Sequence, residues 1–459
     1  MSIVSSPLDG EPSVRLVEAG PAEIDTALAA ASRARAETEA LGIEARAAVL
    51  RSIAAELAAR AAEFADTIVL ETGCPVRQAE AMQVGSAVAL LQAYATLVER
   101  HVFEEIRPGM RGGRVLVAKR PIGASLGIVP WNVPLFLACM KIGPAIAAGC
   151  PIVLKPSPEN ARSADALAGI LARQDLPPGA VAVLTGGREL GQTLVQDGRI
   201  GKVSFTGSTA AGKWIASTCA ARLCRCTLEL GGKSAAVLLD DFDLDKHLDD
   251  LLPAMLQNNG QVCGAQARVL VPSRYFSAWT HAIADRFDAL VVGDPRQHAT
   301  DVGPLATAPQ VARIRDVVAS AVAAGARPAT VRRVLAGVPR GGNYVAPTLL
   351  VDVRPDMRAA REEMFGPVIV ALPYASEEDA VAQANDSPYG LSGSVWSADA
   401  ERATAVARGL RTGTVGINSR KILDFGSPFG GLRESGMGRE LGPEGIDSYL
   451  ESTSILVPA

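Results

Sequence analysis

The sequence predicts an α/β fold built on doubly wound parallel sheet, and three observations carry that expectation. Short β-branched runs (Ser125–Val129, Pro151–Leu154, Ala180–Leu184 and Lys202–Phe205) alternate with stretches of helical period. A second series, Ala235–Leu239, Arg268–Val271 and Val368–Leu372, repeats the arrangement further along. At 459 residues the chain exceeds one ordinary core, so two or three domains are expected. Sheets of this kind bind ligands beyond the carboxyl ends of their strands, which is where chemistry is to be sought.

Taken in order, residues Pro21 to about Val98 are alanine-rich and helical in period, with an apolar face at Val49, Ile53, Leu57 and Ala61. Turn chemistry at Thr72–Pro75 interrupts them. The stretch Arg107–Ala124 alternates between glycine turns and reads as extended structure or a hairpin, one that could project to a partner subunit. The strand–helix units follow. Glycine then becomes dense over Gly426–Gly442, and Ser448–Pro458 reads as a final extended segment.

Composition narrows the function classes. Hydrophobic residues make up 48% and charged residues 20%, with a net charge of −4, which is a globular balance with no sign of a nucleic-acid or anionic-membrane surface. The N-terminus lacks a cationic start ahead of an apolar core, so a cytoplasmic location is expected. The apolar stretch Ile122–Ile142 is interrupted by Pro130, Asn132, Pro134 and Lys141, which argues against a membrane span. Seven cysteines, an odd number without a CxxC pair, argue against a disulfide framework and a zinc site. Cys224 and Cys226 form a CxC with no second pair to complete a metal cage.

Several residues could carry chemistry, each with a plainer reading beside it. Cys263, in QNNGQVCGAQA, sits uncrowded among small and amide residues and could be a nucleophile or an inert thiol. Glu229, in ELGGK, could reach into a cleft as a general base or simply cap a helix. Asn132, between two prolines in PWNVP, could donate to an oxyanion or make an Asx-turn. Ser208, in FTGS, opens a helical stretch and could meet phosphate oxygens or serve as an ordinary N-cap. Lys155, in KPSP, could bond ribose hydroxyls or be a solvated lysine at a strand end. No GxGxxG fingerprint accompanies them.

Read together and in order, PWN, KPSP, FTGS, ELGGK, GQVC, EEMFGPV and PFGG–SG–GRE resemble the NAD(P)-dependent aldehyde dehydrogenase superfamily from about Pro21 to the C-terminus. The resemblance implies a Rossmann-like nucleotide-binding domain (1–106 and 125–230), an α/β catalytic domain (231–440) and a small oligomerisation element (107–124 and 441–459). A homodimer or homotetramer would follow. By similarity Cys263 is the nucleophile, Asn132 with the Cys263 N–H holds the oxyanion, and Glu229 activates water against the thioester. NAD would be held by Val129, Pro130, Trp131, Lys155, Ser157, Phe205, Gly207, Ser208, Leu230, Glu363 and Phe365. No metal is implied.

One position departs from the pattern. Where many NAD-preferring members place a glutamate three residues after the lysine, this chain has Pro158, with Glu159 beside it. NAD is still expected over NADP, because no arginine stands next to Lys155 to hold a 2′-phosphate. Positions matching the family's entrance channel are Leu137, Met140, Val262, Gly264, Leu423 and Phe429, mostly apolar, so a medium or bulky aliphatic or aromatic aldehyde is expected. Arg420 and Lys421 leave open a carboxylate-bearing semialdehyde. Lys141 matches a family lysine below the site, with a structural role expected. A CoA-acylating enzyme is the nearest rival, and Glu229 argues for hydrolysis instead. A cofactor-free cysteine hydrolase would leave Lys155, Ser208 and Glu363 without a role.

Overall fold

The computed structural model describes residues 2–331, 337–419 and 421–458. An N-terminal hairpin, β1 (Ser2–Ser5) and β2 (Pro12–Leu16), precedes a helical layer. That layer comprises α1 (Pro21–Ala40), α2 (Ile43–Ala59), α3 (Ala61–Thr72), α4 (Val76–Gln78) and α5 (Ser86–Arg100), with a π-helical turn at Ala79–Gly85 between the last two. Proline opens α1, and Glu23 caps it by accepting the Gly20 N–H at 2.8 Å. Gly73 closes α3 with φ +73°, the left-handed stop that TGCP suggests. The span Val76–Arg100 is long and apolar enough to cross a membrane by length and composition, but Leu90, Leu91 and Tyr94 on it are buried within the fold.

The expected hairpin is present as β3 (Glu104–Pro108) and β4 (Arg114–Pro121), which pair antiparallel. After it come β5 (Ser125–Ile128), α6 (Pro134–Ala148), β6 (Ile152–Lys155), α7 (Ala161–Leu171), β7 (Val181–Val183), α8 (Arg188–Gln196), β8 (Lys202–Thr206), α9 (Thr209–Ala221) and β9 (Arg225–Glu229). Strands β5 to β9 are parallel neighbours in the order β9-β8-β5-β6-β7. The chain leaves β5 on one side for β6 and β7, then returns to its other side for β8, so β5 marks the switch point. Alternation sorts the layers. Ile152 and Leu154 face the core under α2, α5 and α6, while Val153 faces the core under α1 and α8.

The second sheet is built from β10 (Ala235–Leu238), α10 (Leu244–Leu256), β11 (Arg268–Pro272), α11 (Phe276–Ala289), α12 (Ala308–Ala323), β12 (Arg327–Pro328), β13 (Thr348–Val351), α13 (Arg358–Arg361), β14 (Val368–Tyr374), α14 (Glu377–Asn385), β15 (Ser392–Trp396), α15 (Ala400–Ala407) and β16 (Thr414–Ile417). Its order is β12-β13-β14-β11-β10-β15-β16, parallel except for β12 at the edge. Val237 and Leu270 face one core; Leu238, Val269 and Ile369 face the other.

The chain then crosses back. The short β17 (Gly436–Met437) pairs antiparallel with β9 and extends the first sheet, α16 (Gly442–Asp447) packs on α6, and β18 (Leu450–Val457) pairs with β4. A separate three-stranded sheet, β18-β4-β3, results.

Candidate active site

Strand register gathers the motifs at one edge. Ile128 lies opposite both Lys155 and Phe205, and Thr206 lies opposite Glu229. The segments that follow β5, β6, β8 and β9 therefore leave from a common carboxyl edge, although they are far apart in sequence.

Cys263 reaches this edge from the other sheet. It sits between the 3-10 turn Gln257–Gly260 and β11. Asn258 and Asn259 hold left-handed backbone there (φ 52° and 60°), a conformation asparagine tolerates better than most residues. The Asn259 amide donates to the carbonyls of Gly73 and Pro304, each at 2.9 Å, and its oxygen accepts the Gly303 N–H at 2.8 Å. Those bonds fix the loop on both flanks. Against it runs Leu230–Gly232, where a Cβ at Gly232 would lie 2.6 Å from the Cys263 carbonyl oxygen. Only glycine lets the end of β9 come so close.

Asn132 is tied to the same loop. Its Nδ2 donates to the Gln261 carbonyl at 2.8 Å, two residues before the cysteine. Its own carbonyl accepts from Asn258 Nδ2 at 2.9 Å and from Gln83 Nε2 at 3.1 Å. Gln83 comes from the π-helical turn, and no sequence signal pointed to it. Since an amide nitrogen has two hydrogens, one remains for a further acceptor.

The charges are unusual for their burial. The Glu229 carboxylate lies over Gly430, whose missing Cβ would stand 2.8 Å from Oε1. Burial and the neighbouring Glu440 push its pKa well above the usual carboxylate range, while Lys141, Arg439 and the Gly431 N–H pull the other way. Glu440 accepts from buried Lys141 and, at 2.7 Å, from Ser204 Oγ; Lys141 also donates to Thr206 Oγ1 at 2.8 Å. Burial, then Glu229 and Glu363, push the Cys263 thiol up to about 12.

The thiol packs against an apolar cluster. Leu137, Met140 and Phe429 are buried, and Cys263, Ile422, Leu423 and Phe425 pack against the cluster they belong to. Val262 is half-buried beside them in sequence. At Gly264 a Cβ would stand 2.0 Å from Ile422 Cδ1, so the isoleucine occupies the space that glycine leaves. Phe425 faces Phe136 at 6.0 Å. Ile422, Phe425 and Phe136 went unremarked in the sequence; the apolar side chains of Ile422 and Phe425 in the loop before PFGG were the available sign. Lys421 is exposed, and Arg420 lies outside the described residues.

On the opposite side the residues fit a dinucleotide. Lys155 is buried, not solvated, with Nζ donating to the Pro156 carbonyl at 3.1 Å, and burial lowers its pKa to about 8. Glu159 bonds Ser157 Oγ and, with Glu18, opposes that fall. The Glu159 carboxylate thus stands near both Ser157 and Lys155. Ser208 caps α9, its Oγ accepting the Ala211 N–H at 3.4 Å, and leaves the remaining N-terminal N–H groups for an anion. Gly207 donates its N–H to the Glu229 carbonyl at 3.0 Å, and a Cβ there would meet the Phe205 ring. Leu230 is buried against Gly212 of α9. Val129 donates to the Lys155 carbonyl at 3.2 Å, and Pro130 and Trp131 follow it. Trp131 meets Phe365 edge to face at 5.4 Å. Glu363 accepts the Gly232 N–H at 3.0 Å, and burial raises it to about 7.

The profile of the aldehyde dehydrogenase family matches residues 2–455. The chain belongs to that family. Geranial dehydrogenase of Castellaniella defragrans is 42% identical over 439 residues, covering 94% of this chain and 90% of the relative. The 3-succinoylsemialdehyde-pyridine dehydrogenase of a Pseudomonas species is 37% identical, over 97% of this chain and 93% of its own length. A crystal structure of Mycobacterium tuberculosis aldehyde dehydrogenase complexed with NAD+ superposes with a TM-score of 0.96 at 39% identity, covering 99% of this chain and 94% of that one. The family fold, a Rossmann-like part and an α/β catalytic part, is therefore the fold of this chain.

Proposed function

We propose that this family member oxidises a medium or bulky apolar aldehyde to its carboxylic acid, using NAD in preference to NADP. Cys263 attacks the carbonyl carbon as thiolate and forms a thiohemiacetal. The oxyanion lies between the Cys263 N–H and the Asn132 amide. Bound NAD supplies the acceptor for the hydride that this adduct loses. Glu229 then takes a proton from water, whose oxygen attacks the resulting thioester, and Cys263 leaves as thiolate with the acid. In sum, aldehyde, NAD+ and water give acid, NADH and a proton.

The observation that carries the proposal is the joining of three distant segments. Gly232 lies against the Cys263 carbonyl, and the Asn132 amide is bonded to the same loop, so the end of β9, PWN and the cysteine loop form one site. Trp131, Lys155, Ser157, Ser208, Glu363 and Phe365 would border the dinucleotide. The Glu159 carboxylate near Lys155 supports NAD, because it would repel a 2′-phosphate. Leu137, Met140, Ile422, Leu423 and Phe429 favour an apolar substrate, in keeping with the relative named for geranial. A semialdehyde reading rests on Lys421 and on relatives such as the succinoylsemialdehyde-pyridine enzyme. It is second, because Lys421 is exposed while the wall next to the thiol is apolar.

A panel of aldehydes followed by reduced-cofactor absorbance, with NAD and NADP in parallel and with and without CoA, tests the proposal. Apolar aldehydes should turn over best, with NAD and without CoA. Cys263→Ala should abolish oxidation and leave NAD binding intact. Glu229→Gln should let the acyl-enzyme accumulate in mass spectra; rapid steady turnover by that variant would contradict its assignment as base.

A further inference from the structure

Away from the active site, the CxC pair acquires a third member. Cys219, near the C-terminal end of α9, is buried, and Cys224 and Cys226 pack against its cluster as β9 begins. The side chains of Cys224 and Cys226 both act on the Cys219 thiol. Among the described residues no group of His, Cys, Asp and Glu is placed to hold a metal ion.

The backbone brings Cys219 and Cys224 within bonding range. Cys224 donates its N–H to the Cys219 carbonyl at 2.9 Å. With standard bond lengths, that bond holds the two Cα atoms to at most about 6.7 Å, inside the range a disulfide spans. Leu223, at φ 57°, makes the reversal that closes this loop.

The surroundings distinguish Cys224 from the buried thiols. It is partly exposed, whereas Cys74, Cys139 and Cys150 are buried. The Ile200 carbonyl accepts from Arg222 Nη1 at 2.7 Å and from Cys224 Sγ at 3.6 Å, which brings guanidinium and sulfur together. The contact with Cys219, then Arg222 and Lys202, lowers the Cys224 thiol below its usual range against the opposing effect of burial, while burial raises Cys74 and Cys139 to about 12. An accessible thiol beside cations is the kind that reacts.

We propose that Cys224 is a site of oxidation by small hydroperoxides, and that Cys219 resolves the product as a disulfide closing the turn between α9 and β9. The Cys224 thiolate attacks a peroxide oxygen, and the O–O bond breaks. Sulfur loses two electrons, and the alkoxide that leaves, or hydroxide in the case of hydrogen peroxide, takes a proton from solvent to give an alcohol or water. The Cys219 sulfur then attacks the sulfenic sulfur. An S–S bond forms, the S–O bond breaks, and the departing hydroxide takes the Cys219 proton as water.

Trypsin separates the three thiols, because Cys219 falls in Trp214–Arg222, Cys224 in Leu223–Arg225 and Cys226 in Cys226–Lys233. The full chain is exposed to limiting hydrogen peroxide, quenched with an alkylating agent and mapped by mass spectrometry. A cross-link between the first two peptides is expected, with Cys224 consumed at least about ten-fold faster than Cys74 or Cys139. In Cys219→Ser, with its proposed resolving thiol removed, dimedone should label Cys224. Oxidation of Cys224 no faster than the buried thiols, absence of the cross-link, or linkage of Cys219 to Cys226 in its place would each overturn the proposal. The wild-type map decides even where the variant does not fold.

Discussion

Cys263 sits where its own ionisation is opposed, since burial, Glu229 and Glu363 all raise its pKa. Glu229 is raised in turn by burial and by Glu440. A base must be ionised to work, so deacylation should rise with pH through the raised Glu229 pKa. Replacing Glu440 with Gln removes the like charge while leaving an oxygen for Lys141 and Ser204. With one less negative charge nearby, Glu229 ionises more readily, and the acid limb of the deacylation profile should move down by about one pH unit. A limb that stays put, or moves up, would show that Glu440 does not act on the base. The sequence offered Glu229 and Cys263 as candidates but gave Glu440 no role. Its GRE setting carries no chemistry until the fold lays it beside Lys141 and Ser204.

At the scale of elements, strands were the legible part. The expected runs agree with β5, β6, β7, β8, β10, β11 and β14 to within about two residues, because buried parallel strands are written as continuous apolar runs. Strands β13, β15 and β16 went unassigned, as did the β1–β2 hairpin. SGSVW and TVGI are diluted by serine and glycine, so their apolar signal is weak. The loop before PFGG shows the same limit. Its apolar residues are visible in sequence, but that Ile422 lies over Gly264 is not. Gly264→Ala would displace the flexible end of Ile422 and no backbone, so the fold should survive. The displaced side chain should narrow the channel and raise KM for branched or aromatic aldehydes by about ten-fold, leaving short aldehydes little changed. Equal effects on all aldehydes would point to damage at Cys263 itself.

The whole molecule leaves one sheet conspicuously uncovered. Ile106 on β3 and Ile455, Leu456 and Val457 on β18 are exposed, Leu456 at 79%, although they belong to the three-stranded sheet. Such apolar exposure on a small sheet fits association with a second copy, as the family resemblance implies. Sedimentation at micromolar protein should therefore show a dimer or larger, and Leu456→Asp should shift it toward monomer with helix content intact. A full chain that sediments as monomer would remove the basis for an oligomerisation element.

The order of short motifs along the chain determined the family and the identity of the candidate nucleophile, base and amide donor, because these depend on residue type and spacing. Tertiary structure alone decided what surrounds them. It set which carboxylates are forced together and which isoleucine fills the gap left by a glycine. Those are properties of contacts between segments far apart in the chain. They arise only when parallel strands bring their carboxyl ends, and the loops that leave them, to a common edge.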